Sequence, residues 1–296
     1  GLRTLSVIED TLSHLRRRNV ELDIDHVALD DEAVYAMLCR ADTTGVFQLE
    51  GGGMRSLIKQ LAPDRFEDLM ALVALYRPGP LSAGMHVEYA ERKHGRRAVS
   101  YPHEDLEEIL GPTYGIMVYQ EQVMQIAVRM AAYSMADADL LRQAMGKKIR
   151  AKLMVHREKF IQGCIDNGYA ERLGTDLFEL MEPFADYGFN ASHACAYGYI
   201  AYQTAYLKAH HPVEYMSAIL TSVRDDKDRK PFYLNACRLM GLEVLPPDVN
   251  ESEQDFAPVT SGEPKIRYGL SAVRNVGSGA VQQIIEARRA KGTFTG

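Results

Sequence analysis

Seven cationic side chains crowd into one stretch of this sequence. Residues 140–160, LLRQAMGKKIRAKLMVHREKF, contain Arg142, Lys147, Lys148, Arg150, Lys152, Arg157 and Lys159 against Glu158 alone. Seven against one leaves +6, inside a chain of net charge −6. Gly146-Lys147-Lys148 stands at the junction of two helical patterns, where glycine lets the backbone turn. Two lysines beside a cluster of backbone amides are groups that hold an anion such as phosphate. The solvated faces of two basic helices would read the same way, and local pattern does not separate the two.

A second constellation is Tyr187-Gly188-Phe189-Asn190-Ala191-Ser192-His193. Asn190 or Ser192 is a natural N-cap for the helix that follows. Its first turn would offer amide donors beside the Ser192 hydroxyl and His193, which suits phosphate. An ordinary capped helix is the competing reading. Further along, Tyr199, Tyr202 and Tyr206 share one face, a stripe that belongs in a core or stacks on bases where a groove is open.

Arg77-Pro78-Gly79-Pro80 forms a stiff turn that ends a helix. Arg77 there either satisfies the last carbonyls of that helix or aims its guanidinium at phosphate. The segment GLSAVRNVGSGAVQQIIEARR, residues 269–289, reads as short helix, glycine turn and second helix, like a helix-hairpin-helix. Its glycines would expose amides that hold a DNA phosphate without reading sequence. A plain helical hairpin competes. Asp23-Ile24-Asp25 has the D-x-D form that can hold two metal ions, but its polar surroundings read as a solvated loop.

Helical patterns position these groups. The first, with Leu5, Ile8, Leu12 and Leu15 on one face, opens the chain. Asp30 or Asp31 caps a helix running to about Arg40. Gly51-Gly52-Gly53 forms a flexible joint before MRSLIKQL. Asp64, with Glu67 three residues on, reads as a capping box for a helix bearing Phe66, Leu69, Met70 and Val73. Further helices are expected over 118–133, 135–146, 149–166, 171–184, 191–209, 212–222 and 227–240, with a last one near 279–290. Between Glu243 and Tyr268 four prolines and the runs EVLPPDV, DFAPV and KIRYGL predict a small sheet-containing or looped element. The fold class is mainly α with a minor β part. Three regions follow: a helical core over 1–225, a small α/β-loop element over 226–268, and the hairpin over 269–296.

Composition narrows the function. The chain has 296 residues, 46% hydrophobic and 25% charged, ordinary for a globular protein. Cys39, Cys164, Cys195 and Cys237 form no CxxC pair, which leaves a zinc ribbon or thioredoxin-like site unsupported. Four reduced cytosolic thiols are the plain reading. His210 and His211 are adjacent and would point about 100° apart on a helix, poor co-ligands. No apolar run reaches the roughly 18 residues of a membrane span. A start inside a helix, without Met, predicts a piece of something longer.

The strings GLRTL, GVFQLE, EDLMALVALYRPGP, YPHEDLEEILGPTYGIMVYQEQVMQIA, LRQAMGKK, YGFNASHACAYGYIAYQTAYLKAHHP and MGLEVLPPDVN resemble bacterial DNA polymerase III alpha subunits. The similarity runs over essentially the whole chain. It is similar to their fingers domain, running into the helix-hairpin-helix before the clamp-binding region. The resemblance implies a mainly α, multi-helix fingers domain of a template-directed replicative DNA polymerase, adding deoxynucleotides to a primer 3′ end. It implies that the Mg²⁺-holding aspartates lie in a palm domain upstream of Gly1, so the chain alone would be inactive. It implies incoming dNTP and primer–template DNA as partners, a sliding clamp and other replisome subunits for the parent, and a bacterial cytoplasmic, nucleoid-associated location.

The same resemblance gives the constellations their roles. Arg77, Arg142, Lys147, Lys148, Asn190, Ser192 and His193 would converge on triphosphate, base or template. Arg150, Lys152, Arg274, Asn275, Gly277 and Gly279 would meet the DNA backbone. Many relatives carry a second basic residue where this chain has Gln143, so only Arg142 carries over. The other readings are an error-prone paralogue, a non-catalytic DNA- or nucleotide-binding module, and a scaffold that docks proteins. Arg267, Arg274, Arg288, Arg289 and Lys291 against Glu286 make the chain's end a second basic region. The acidic remainder is expected on faces turned away from DNA.

Overall fold

The computed structural model describes residues 2–146, 150–184, 188–259 and 263–295. They form two compact units, one of residues 1–51 with 200–296 and one of residues 52–199. Along the chain these units divide after residue 51 and after residue 199. The small sheet and the hairpin lie in the same unit as the first helix.

In chain order the first unit opens with α1 (Arg3–Arg17) and α2 (Glu32–Cys39). Helix α1 buries Val7, Ile8, Thr11 and Leu15, while Leu5, expected on that face, is exposed. At about 100° per residue Leu5 falls on the far flank of Ile8 from Val7 and Thr11. Asp31, not Asp30, caps α2, accepting the Val34 amide at 2.9 Å.

The second unit holds α3 (Gly52–Leu61), α4 (Phe66–Leu75), α5 (Pro78–Ser82), α6 (Met85–Lys93), α7 (Glu107–Leu110), α8 (Gln120–Ala131), α9 (Met135–Gly146), α10 (Arg150–Asp166), α11 (Glu171–Phe184) and the start of α12 (Ala191–His210). Three local expectations are corrected here. Gly52 and Gly53 are not a joint but the first turn of α3, and a Cβ at Gly53 would collide with the Tyr76 hydroxyl. Asp64 does not cap α4. Arg65 occupies that position, and the Asp64 carboxylate instead takes Lys93 Nζ at 2.6 Å. The prolines after Arg77 do more than stop α4. Pro78 opens α5, where its fixed φ suits a first helical turn.

Lys93 also donates to the fully buried Asp68 at 2.7 Å, tying α6 to α4. The core of this unit gathers Ile126 and Met130 of α8, Phe160 of α10, and Phe178 and Met181 of α11. Helices α8 and α10 approach so closely that a Cβ at Gly163 would strike the Ala131 carbonyl.

The first unit resumes with the end of α12, then α13 (Pro212–Ser222), α14 (Arg229–Leu239), β1 (Glu243–Leu245), β2 (Ala257–Pro258), β3 (Lys265–Arg267) and α15 (Ser278–Lys291). The sheet order is β1-β3-β2, with β1 parallel and β2 antiparallel to β3. Pro258 sits on the edge strand β2, where its missing amide costs no ladder bond. Leu15, Tyr215, Met216, Phe256 and Ile266 join α1, α13 and the sheet in one core. Arg18 at the end of α1 pairs with the buried Glu214 of α13.

Candidate functional site

Most of the described candidate residues of the second unit meet around the start of α8. A buried glutamine builds that start. The Gln122 side-chain oxygen accepts the Val118 and Tyr119 amides at 2.8 and 2.9 Å. Its amide nitrogen donates to Thr113 Oγ1 at 2.7 Å and to the Ile109 carbonyl at 3.2 Å. All polar demand of this buried group is met, so the 116–119 segment is fixed. That segment then pairs with the one before α12 in a parallel bridge, Tyr119 against Phe189. The Gln120 amide donates to the Phe189 carbonyl at 2.9 Å, and the Phe189 amide to the Val118 carbonyl at 3.2 Å.

This pairing aims four side chains in a row. The Arg77 guanidinium lies 4.5 Å over the Phe189 ring. Phe189 meets His193 edge-on at 5.4 Å, and His193 lies 4.2 Å from Tyr197, one helical turn further on. His193 is exposed, while Phe189 and Tyr197 are half-buried. An exposed imidazole beside aromatic rings offers a flat face on which a base can stack. Arg77 also donates from Nε to the Ala74 carbonyl at 2.8 Å, so the helix-end reading holds for that nitrogen. Burial pulls its guanidinium below the ordinary value, yet arginine stays charged.

The α12 N-terminus is capped by Asn190, whose side-chain oxygen accepts the His193 amide at 2.8 Å. Ser192 is exposed on the first turn. The donors expected for phosphate are not all open. Glu121 of α8 accepts the Ala191 amide at 2.9 Å and Asn190 Nδ2 at 2.7 Å. A carboxylate already occupies the place where the helix end favours negative charge.

Arg142 on α9 follows the same pattern. It binds Asp139 at 2.7 Å and reaches the Gln120 side-chain oxygen at 3.3 Å. Gln120 in turn donates to the Gly188 carbonyl at 3.3 Å. Gln143 donates to the other Asp139 oxygen at 2.7 Å. These two hydrogen bonds hold the Asp139 carboxyl below its ordinary value. Gln143 thus supports the carboxylate that orients Arg142.

Lys147 and Lys148 lie outside the described residues. Arg150 and Lys152 lie on α10, and their side chains are outside the description. In the other unit, Arg274 and Asn275 are exposed on the hairpin, with Asn275 at φ 64°. Asparagine tolerates that left-handed backbone. The first limb is a single 3₁₀ turn, Leu270–Ala272, shorter than the helix expected. Leu270 packs on Val281 and Ile285 of α15. Gly277 and Gly279 are exposed, and a Cβ at either would meet nothing.

Of the tyrosine stripe, Tyr202 is core, donating to the Ala28 carbonyl at 2.7 Å. The exposed ring of α12 is instead His193, with the half-buried Tyr197 4.2 Å from it. Sequence reasoning missed Gln120, Glu121, Phe189 and Tyr197. Their signal was the i, i+4 spacing of His193 and Tyr197 and the polar Gln120-Glu121-Gln122 opening an amphipathic helix. All four cysteines are free thiols. Asp23 accepts His26 Nδ1 at 2.7 Å, and Asp25 accepts Gln203 Nε2 at 2.9 Å, so the D-x-D carboxylates are engaged separately. Among the described residues no three His, Cys, Asp or Glu side chains gather as metal ligands would. Among them, too, no helix is long and apolar enough to cross a membrane.

By fold and chemistry this is a mainly helical protein with arginines, helix-end donors and aromatic rings around one segment, and a glycine hairpin near its end. Residues 4–168 match the family model for the bacterial DNA polymerase III alpha subunit finger domain, and residues 241–296 match a helix-hairpin-helix motif. The chain belongs to the bacterial DNA polymerase III alpha subunit family. It is 51% identical to DNA polymerase III subunit alpha of Mycobacterium tuberculosis H37Rv over the whole chain. Identity is 48% to the Pseudomonas aeruginosa subunit and 46% to that of Escherichia coli K12, each over 99% of the chain. The chain spans about a quarter of the length of these relatives (25–26%).

Proposed function

We propose that this chain is the fingers region of a template-directed replicative DNA polymerase and that it receives the incoming dNTP and the primer–template. The observation that carries the reading is the Arg77–Phe189–His193–Tyr197 row, which stands beside the α12 N-terminus. The row suits a base, and Arg142 with the Asn190–Ser192 turn suits the phosphates. Lys147 and Lys148 join this set through their place in the LRQAMGKK motif. Arg150, Lys152 and the hairpin residues Arg274, Asn275, Gly277 and Gly279 meet the DNA backbone.

Mg²⁺ and the carboxylates that hold it belong, on this reading, to a palm domain outside this chain. The fingers residues bind and orient the triphosphate and complement its charge. The 296-residue chain alone is expected not to extend a primer. The sliding clamp and the other replisome subunits are partners of the longer protein, which works in the bacterial cytoplasm.

Steady-state primer extension by a polypeptide of the relatives' full length tests the assignment. Arg142→Ala and His193→Ala should each raise KM for dNTP several-fold. Unchanged KM and kcat in both would overturn the site.

A further inference from the structure

The unit of residues 1–51 and 200–296 holds an open cleft of about 710 Å³ beside the hairpin. That volume is within the range of small-ligand sites, about 300–1,000 Å³. Its lining includes the apolar Pro231, Pro247 and Val276 and the ring of Tyr268. Tyr268 meets Phe256 at a tilt of 60°, ring centres 4.5 Å apart, and Lys230 Nζ lies 5.8 Å from the Tyr268 ring centre. The charges on the cleft divide into committed and uncommitted ones. Arg224 is paired with Asp255 and, at 3.5 Å, with Asp225. Asp226 is used by the amides of Asp228 and Arg229, at 3.0 and 2.9 Å. Lys230 donates to the Ala272 carbonyl at 3.0 Å.

Lys227 and Arg274 are both exposed and carry no ion pair among the described residues. The Ser271 hydroxyl oxygen is buried in the wall without a hydrogen-bond partner among them. An apolar lining with an aromatic ring, two uncommitted cations and an unmet hydroxyl together match one nucleotide unit, a base with a phosphate. Arg274 and Asn275 line the cleft and belong to the hairpin as well. A strand held by the hairpin amides would therefore pass its next nucleotide to the cleft.

We infer that this cleft takes one nucleotide of a DNA strand, its base against Tyr268 and its phosphate between Lys227 and Arg274. The inference rests on the reading that the hairpin meets DNA. Fluorescence anisotropy with the 296-residue chain tests it, using labelled dT10 and a ten-unit abasic strand of the same backbone. The intact chain should bind dT10 about tenfold more tightly than the abasic strand, the scale of one base stacked on an aromatic ring. Tyr268→Leu should abolish that preference. Lys227→Glu, on an exposed side chain that cannot upset packing, should weaken both strands and reduce the salt slope by about one.

Salt-dependent binding with equal affinity for the two strands would overturn the cleft and leave the hairpin reading standing. Binding of neither strand would overturn both. Displacement of dT10 by free dTMP at equal nucleotide concentration would refute the strand as the source.

Discussion

On the proposed function, Glu121 places a carboxylate where a nucleotide's phosphate would sit, and replacing it separates folding from binding. It accepts the Ala191 amide at 2.9 Å and Asn190 Nδ2 at 2.7 Å at the start of α12, and it also lies in the first turn of α8. Glu121→Gln keeps one oxygen acceptor and removes the charge. Charge at an exposed helix N-terminus contributes about 0.3–1 kcal/mol, and a capping acceptor about 0.5–2 kcal/mol. A loss of about 1 kcal/mol in unfolding free energy follows, read by urea denaturation at constant m-value. Ligand binding should move the other way. A unit charge about 4 Å from a phosphate repels it by about 1 kcal/mol even at the dielectric of water. Removing it should tighten binding of a fluorescent dATP analogue about fivefold. The gain should shrink at 1 M salt, where screening acts within about 3 Å. Weaker nucleotide binding with unchanged stability would refute the reasoning, because the carboxylate would then belong to the ligand site instead of standing in for the ligand.

Gly163→Ala should destabilise by about 1–3 kcal/mol in a thermal or urea melt, because the new methyl meets the Ala131 carbonyl and overpacking outweighs alanine's better helix propensity. Phe189→Leu removes the ring between Arg77 and His193 and should weaken nucleotide binding several-fold in the same titration, with a smaller effect on a backbone-only DNA strand. Burial, aided by the Arg17 charge, pushes His14 from 6.5 down to about 4. In that window the unfolded chain binds a proton that the folded chain refuses. Stability should therefore be level above about pH 6.5 and fall toward pH 4 by up to about 3 kcal/mol, a fall that His14→Gln should remove in urea melts at stepped pH.

The long helices were legible in the sequence because their apolar period runs for several turns. The expected 171–184 and 135–146 coincide with α11 and α9. Helix starts were less legible, because a cap is decided by competition for one side chain. Asp64 has the right type and spacing, but Lys93 arrives from 29 residues away and takes its carboxylate. The Arg77-Pro78 turn reads as an end because proline stops a helix, though it equally begins one. In the site, His193 and Asn190 were visible as types beside a helix start. Phe189 and Glu121 were not, since their roles arise only when the 116–119 segment pairs with the one before α12. No local pattern encodes that pairing.

Charge shows the same limit most clearly. Counting along the chain placed the acidic surplus on faces turned away from DNA, yet the carboxylates are interleaved with the cations. Asp139 holds Arg142, Asp255 holds Arg224, Glu251 holds Arg267, and Glu253 holds Arg288 at 3.1 Å. Each pair presents an oriented donor with little net charge. An incoming phosphate must exchange for a carboxylate, and it gains the difference between two ion pairs instead of one whole pair. Free counterions are then fewer than the number of lysines and arginines suggests. The slope of log K against log salt should report the uncommitted cations, such as Lys227 and Arg274, and not the total. Interleaving also rejects a random polyanion, because only a ligand whose phosphates match the spacing of the donors displaces several carboxylates at once. On the proposed function, a chain with a net charge of −6 would thus hold a phosphate ligand selectively while repelling polyanions that do not fit.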